Sequence, residues 1–177
     1  GIHLNKYQII YADPPWQYKD KGGAERHYNT IDNDKLSLMP IQDLCADDCA
    51  LFMWATFPKM QDALDLIKAW GFTYKTNAFT WVKKNKVEDS LFWGMGRWTR
   101  ANAEVCLLAT KGKPKRVDMG VHSVVEAKIM KHSQKPDEVA ERIVRLCGEL
   151  PRLEMFARQQ RKGWDLFGNE VENSITV

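Results

Sequence analysis

The sequence predicts an α/β fold: an open, mostly parallel sheet with helices on both faces. Three observations carry that expectation. Short, mainly apolar runs of strand length recur at Tyr7–Ala12, Cys49–Thr56, Phe72–Val82, Glu104–Thr110 and Leu153–Ala157. Between the second and third, Pro58 opens a helix with Met60, Ala63, Leu64 and Ile67 on one stripe, closed by Gly71. Strand, helix, strand with short links is the unit from which parallel sheets are made. A second amphipathic stretch carries Val139, Ala140, Ile143, Val144 and Cys147 on one face, with Pro136 in its first turn and Gly148 at its end. The 177 residues are read as a single domain spanning 1–177, long enough to bury a sizeable core.

The first strand is rich in β-branched and aromatic residues and stops at Asp13-Pro14-Pro15-Trp16. Each proline fixes its own φ, removes a backbone donor and pushes the residue before it out of the helical region. The result is a rigid corner offering a carboxylate and bare carbonyls, followed by an aromatic plane. Such a corner suits a flat group that only donates, and the exocyclic amine of a nucleobase is one. The bland alternative is a turn whose tryptophan plugs a loop into the core. Its place at a strand end favours a site, because open α/β sheets bind ligands beyond the carboxyl ends of their strands.

After the corner, residues 17–29 form a polar stretch with Gly22-Gly23 at its middle, read as a lid beside the site, with Lys19, Lys21 and Arg26 available to a phosphate backbone. Residues 33–45 read as two short helical pieces broken at Pro40. The run Cys49–Thr56 is apolar nearly throughout, as expected of a strand covered on both faces. Residues 83–103 are the longest irregular stretch, in which lysines are followed by Phe92-Trp93-Gly94-Met95-Gly96-Arg97-Trp98 and Arg100. Aromatics interleaved with cations can stack on splayed bases and hold phosphates. They could equally pin the loop to the core or to a second subunit.

His132-Ser133-Gln134-Lys135-Pro136-Asp137-Glu138 leads into the second helix. A lysine is disfavoured by the dipole at a helix N-terminus, so Lys135 makes sense if an anion gathers there. A solvated lysine is the alternative. The strand at 153–157 delivers Arg158, and a Trp164/Phe167 pair staples the tail, with Gly168-Asn169 as a turn presenting an amide.

Charge is uneven. Residues 81–135 carry 12 basic and 5 acidic side chains, while the whole chain is only +3. This marks a candidate nucleic-acid face. No run approaches the length of a membrane span and no signal-peptide pattern is found, so a membrane partner is not expected. Cys45, Cys49, Cys106 and Cys147 show no paired ligand spacing and the four histidines are scattered, which points to no metal and a reducing, cytoplasmic compartment. Cys45 and Cys49 could sit one helical turn apart, whereas Cys106 and Cys147 read as core thiols. Neither a G-x-G-x-x-G nor a P-loop is present, and no Ser/His/Asp or Cys/His arrangement stands out.

Taken in order, Asp13-Pro14-Pro15-Trp16, His132 to Glu138, Glu154-Met155-Phe156-Ala157-Arg158 and Gly163-Trp164-Asp165 with Gly168-Asn169-Glu170 resemble the MT-A70 family of adenine N6-methyltransferases, over about residues 7 to 172. The resemblance implies a Rossmann-like methyltransferase fold in permuted order, with the catalytic corner before the cofactor strand. It implies S-adenosylmethionine as methyl donor. Its compact form and closing motifs look most like bacterial and phage members, which implies DNA ahead of RNA as substrate. By matching positions, Asp13 and the Pro14 carbonyl, on the corner completed by Pro15, would accept the target amine's hydrogens while Trp16 packs on the adenine. Asp13, Lys135, Arg158 and Asn169 would meet the cofactor, and Trp16, Tyr18, Trp98, Arg100 and Glu104 the substrate. The chain departs from RNA-methylating members after Arg158, where Gln160-Arg161 stands for a His-Asn pair, and at Glu170, where they have Gln. A homodimer or a partner subunit stays open, as does the reading of the chain itself as a non-catalytic, nucleic-acid-binding partner. The intact acidic corner argues against that last reading.

Overall fold

The computed structural model describes residues 6–16, 32–94, 96, 98–131 and 134–168. The elements in chain order are β1 (Tyr7–Ala12), α1 (Asn33–Ser37), β2 (Cys45–Ala55), α2 (Met60–Ala69), β3 (Thr73–Lys84), β4 (Ala103–Lys111), β5 (Val124–Lys128), α3 (Asp137–Cys147), β6 (Arg152–Ala157) and β7 (Asp165–Gly168). Short 3-10 turns lie at Ile41–Asp43 and Phe57–Lys59. The strands form one sheet in the order β5-β3-β4-β2-β1-β6-β7. β1 pairs in parallel with β2 and β6, β6 with β7, and β3 with β5, whereas β4 runs antiparallel to both β2 and β3. Six strands therefore point one way and β4 alone is reversed. That reversal brings the amino end of β4 to the edge where the other strands end.

The alternation of side chains along β1 separates two cores. Ile10 and Ala12 pack with Ala63, Leu66, Ile67 and Trp70 of the α2 layer. Ile9 and Tyr11 pack with Val139, Ala140, Ile143 and Cys147 of α3. Helices thus cover both faces, as expected for an α/β Rossmann-like sheet. The α3 stripe matches the sequence reading, and its chain exit at Gly148 has φ 92°, a conformation that favours glycine. Each fully buried Ile or Leu in these layers contributes about 1.5–3 kcal/mol relative to exposure.

Several expectations change. β2 starts at Cys45, so Cys45 and Cys49 lie on one strand, and β2 bulges between them: Tyr7 pairs Cys45 but Ile9 already pairs Ala50. The bulge pushes Asp47 and Asp48 outward, where Asp48 Oδ1 accepts the Lys113 N–H at 2.9 Å. All four cysteines are buried free thiols. The segment around Val124 forms β5, an edge strand held by β3 and by the Trp81 indole N–H donating to the Ala127 carbonyl at 2.9 Å. The tail staple holds as packing, with Trp164 buried and Phe167 edge-on to Phe156, and the four residues after Trp164 make β7. The two helical pieces around Pro40 are found as α1 and the first 3-10 turn. Among the described residues no helix is long and apolar enough to cross a membrane.

Candidate active site

The Asp13 corner stands at the carboxyl end of β1, in the middle of the sheet. Its start is tied to β6 by the Asp13 N–H, which donates to the Met155 carbonyl at 3.4 Å. Pro14, Pro15 and Trp16 are buried. The Pro14 carbonyl is not bare, because it accepts the Trp16 N–H at 2.9 Å across a three-residue turn. One of its lone pairs remains for another donor. Trp16 belongs to the α2-side core and also walls the cavity beside Asp13. The reading of that tryptophan as a plug in the core therefore holds. Its indole N–H is buried and has no hydrogen-bond partner among the described residues.

Four charges from four parts of the chain meet at the corner. The Lys135 ammonium lies 3.5 Å from the Asp13 carboxylate and 3.0 Å from Glu104, whose other oxygen is 2.8 Å from Lys83. Glu104 reaches this edge only because β4 runs backwards. The anions beside Lys135 in the structure are the carboxylates of Asp13, just past β1, and of Glu104 on β4. Its ammonium also sits 5.6 Å from the centre of the Trp54 ring, and the Trp54 indole N–H donates to the Tyr11 hydroxyl at 2.8 Å. Burial pushes the Asp13 pKa up, against the pull of Lys135. Burial would raise Glu104 too, but the two ammoniums of Lys135 and Lys83 outweigh it and hold Glu104 below its usual value. For Lys135 the carboxylates of Asp13 and Glu104 outweigh the opposing effect of burial, and its pKa is raised.

Lys135, Asp13 and Arg158 line two small adjoining cavities. One, of about 30 Å³, continues over Tyr11, Gln134, Glu154, Phe156 and Arg161. The other, of about 50 Å³, continues over Pro14, Trp16, Trp54, Thr56 and Glu104. Each has room for a few waters at most. Thr56 and Glu104 also line a wider cleft of about 500 Å³, which Trp98 and Arg100 share with Phe57 and Lys83. Asp13, Pro14, Pro15, Trp16, Glu104, Lys135 and Arg158 are thus brought together, and Trp98 and Arg100 stand in the next cleft. Trp93 and Trp98 are 64% and 99% exposed, so the aromatic loop is not pinned to this chain's own core through them. Tyr18, Asn169, Glu170, His132, Ser133 and the polar stretch 17–29 lie outside the described residues.

Residues 7–170 match the MT-A70 protein family. The chain belongs to the MT-A70 family. It is 34% identical to the Type II methyltransferase M.MunI of Mycoplasma sp over 97% of this chain and 81% of that protein. It is 30% identical to the human N(6)-adenosine-methyltransferase catalytic subunit METTL3, over 96% of this chain and 29% of that protein. The Drosophila melanogaster N(6)-adenosine-methyltransferase MT-A70-like protein is likewise 30% identical, with 28% of its length covered. The chain therefore spans most of the bacterial relative and less than a third of these eukaryotic ones. It is a methyltransferase of this family, whose methyltransferases generally use S-adenosylmethionine.

Four residues of the site escape the sequence reading as site residues. Lys83 and Trp54 complete the surroundings of Glu104 and Lys135, and nothing in their local sequence marks them. Glu154 and Arg161 form a buried pair at 2.7 Å, and Arg161 also reaches Asp137 at 3.1 Å. That pair had a signal, because a carboxylate inside a buried strand calls for a partner. The Arg161 that departs from the family pattern is this partner. Burial raises the Glu154 pKa against the pull of Arg161. Between them, Phe156 turns at φ 61°, a strained conformation for an aromatic residue, beside the register shift between β6 and β7.

Proposed function

We propose that this chain transfers a methyl group from S-adenosylmethionine to the N6 amine of adenine in DNA. The observation that carries the reading is the pairing of the Asp13 carboxylate and the half-used Pro14 carbonyl with the cations Lys135 and Arg158 at the carboxyl edge of the sheet. The lining fits the cofactor by its donor set. Lys135 and Arg158 match a carboxylate, Asp13 and Glu154 match an ammonium or hydroxyls, and Phe156 gives an apolar wall. The cavities must open to admit it, so the chemistry of the lining, rather than its present volume, supports the fit.

When bound, S-adenosylmethionine supplies an electrophilic methyl group on a sulfonium, which needs no further activation. The chain's task is to hold and polarise the adenine amine, whose lone pair is delocalised into the ring. Asp13 and the Pro14 carbonyl accept its two hydrogens, which favours a pyramidal nitrogen and stabilises the positive charge that grows there. Trp16 holds the ring plane and so fixes the line of approach. The upward push that burial gives Asp13 makes it a stronger acceptor than an exposed aspartate. In duplex DNA the target base has to leave the stack, at a cost of a few kcal/mol.

DNA stands ahead of RNA because the chain covers 81% of the Type II methyltransferase and under a third of the N(6)-adenosine-methyltransferases. RNA adenosine, with the same chemistry, is the second reading, favoured by the 30% identity to the latter. The test is transfer of a labelled methyl group to matched duplex DNA, single-stranded DNA and RNA. Faster turnover on DNA is expected. Transfer to RNA alone would keep the mechanism and overturn the substrate, and cofactor binding without transfer to any of the three would overturn both.

A further inference from the structure

The cleft next to Asp13 has features that the core does not explain. Its rims carry Phe57 on the turn after β2, 60% exposed, and Trp98 on the loop before β4, 99% exposed. Large aromatics left in water at the mouth of one cleft mark a binding surface. The loop that presents Trp98 closes tightly: any side chain at Gly96 would collide with the Thr99 carbonyl oxygen, so Gly96 permits the turn that carries Trp98. The cleft measures about 500 Å³, within the range of sites for a molecule of nucleotide size. It adjoins the cavity of Asp13 through the shared walls Thr56 and Glu104. Among its walls Lys83 is paired with Glu104 at 2.8 Å, and Arg100 adds a further cation within the basic stretch 81–135.

We propose that this cleft seats the nucleotide next to the target adenine on the same strand, its base stacked on Phe57 and Trp98 and its phosphate beside Arg100. The inference rests on the nucleic-acid substrate proposed above and adds a subsite to it. A strand that delivers one base to Asp13 must carry a neighbour past Thr56 and Glu104, which is where the cleft opens. Stacking on aromatic side chains accepts any base, so the subsite holds the strand without reading its sequence. It also requires the neighbouring base to be unstacked from its own duplex neighbour, which favours single-stranded or locally opened substrate.

The experiment uses fluorescence anisotropy on the full chain with S-adenosylhomocysteine present and a short single-stranded oligodeoxynucleotide containing one adenine. The intact strand is compared with strands carrying an abasic position on either side of that adenine. One base–aromatic stack is worth roughly a five- to hundred-fold change in Kd. Phe57→Ala and Trp98→Ala should each weaken binding of the intact strand by at least about five-fold, and one abasic flank should do the same to the wild type. The same abasic strand should cost the two variants almost nothing more. Phe57→Tyr and Trp98→Phe keep a stacking face and should bind as the wild type does. Both positions are exposed, so the alanine variants should keep the wild-type melting temperature. Variants that bind the intact strand normally, or that suffer the full abasic penalty again, would overturn the subsite and leave the methyl-transfer reading standing. So would a change of molecular mass on Trp98→Ala, which would assign the loop to an interface between chains. A wild type that binds none of the strands would overturn the subsite, and the methyl-transfer reading would then rest on the duplex and RNA arms of its own assay.

Discussion

Replacing Lys135 by methionine tests the electrostatics of the site without changing the shape of the side chain much. The ammonium is 3.0 Å from Glu104 and 3.5 Å from Asp13, and the side chains of Lys135 and Glu104 are almost buried. At an effective dielectric of about 20, each contact is a gross Coulomb attraction of about 5 kcal/mol. Much of that only offsets the desolvation of the ammonium, and removing one partner from a buried pair leaves a net loss of about 3–5 kcal/mol. Two features pull the expectation to the lower end, about 3 kcal/mol. The Asp13 side chain keeps 24% of its exposure, and Lys83 still holds Glu104. The loss depends on pH in a defined sense. Asp13 already has a raised pKa, so the native state keeps its proton to higher pH than the unfolded chain, and its contribution to stability falls as pH rises through that raised value. Without Lys135 the upward push is stronger. Glu104, lowered in the wild type, loses one of the two ammoniums whose stabilisation is present above the unfolded pKa. Urea unfolding at about pH 8 should therefore show the full deficit, shrinking toward about pH 5 as Asp13 takes up a proton. Adding Asp13→Asn to Lys135→Met should restore part of the stability at about pH 8. A deficit under about 1 kcal/mol, or one equal at both pH values, would refute this account of the charge cluster.

The Arg161–Glu154 pair should behave similarly on the far side of the site. Arg161→Ala leaves a buried carboxylate uncompensated and should cost about 3–5 kcal/mol in urea unfolding, whereas Arg161→Met with Glu154→Leu should recover most of it. Gly112, at φ 69°, faces the Asp47 carbonyl oxygen across the β2 bulge, and a methyl group there would collide with it. Gly112→Ala should lose about 1–3 kcal/mol in the same assay, against a change within about 0.5 kcal/mol for Gly120→Ala, whose added carbon meets only an exposed side chain.

The legible parts of the fold were those where one local rule decides. The paired prolines fix a corner wherever they stand, and the α3 stripe with Gly148 at its end is specified within a dozen residues. The strands β5 and β7 were not legible, because each is a short edge element that pairs with one neighbour only and carries no long apolar run. The reversal of β4 is equally non-local. It decides which carboxylate faces Asp13, yet the residues of β4 read as any buried strand. For the same reason Lys83 and Trp54 enter the site only through the sheet's register, while Asp13, Lys135 and Arg158 could be named from sequence because each stands at an element boundary or in a motif.

The most direct test of the central claim identifies the methylated atom and its dependence on Asp13. DNA is incubated with deuteriomethyl S-adenosylmethionine and either the wild type or Asp13→Ala, digested to nucleosides and analysed by mass spectrometry. Cofactor binding of both proteins is measured in parallel. The account predicts N6-methyldeoxyadenosine carrying the labelled group from the wild type. It predicts at least about a hundred-fold less from Asp13→Ala, since losing a preorganised transition-state contact of this kind costs about that much in kcat. Label on another atom of the base, or near-normal product from an Asp13→Ala protein that binds the cofactor, would contradict it.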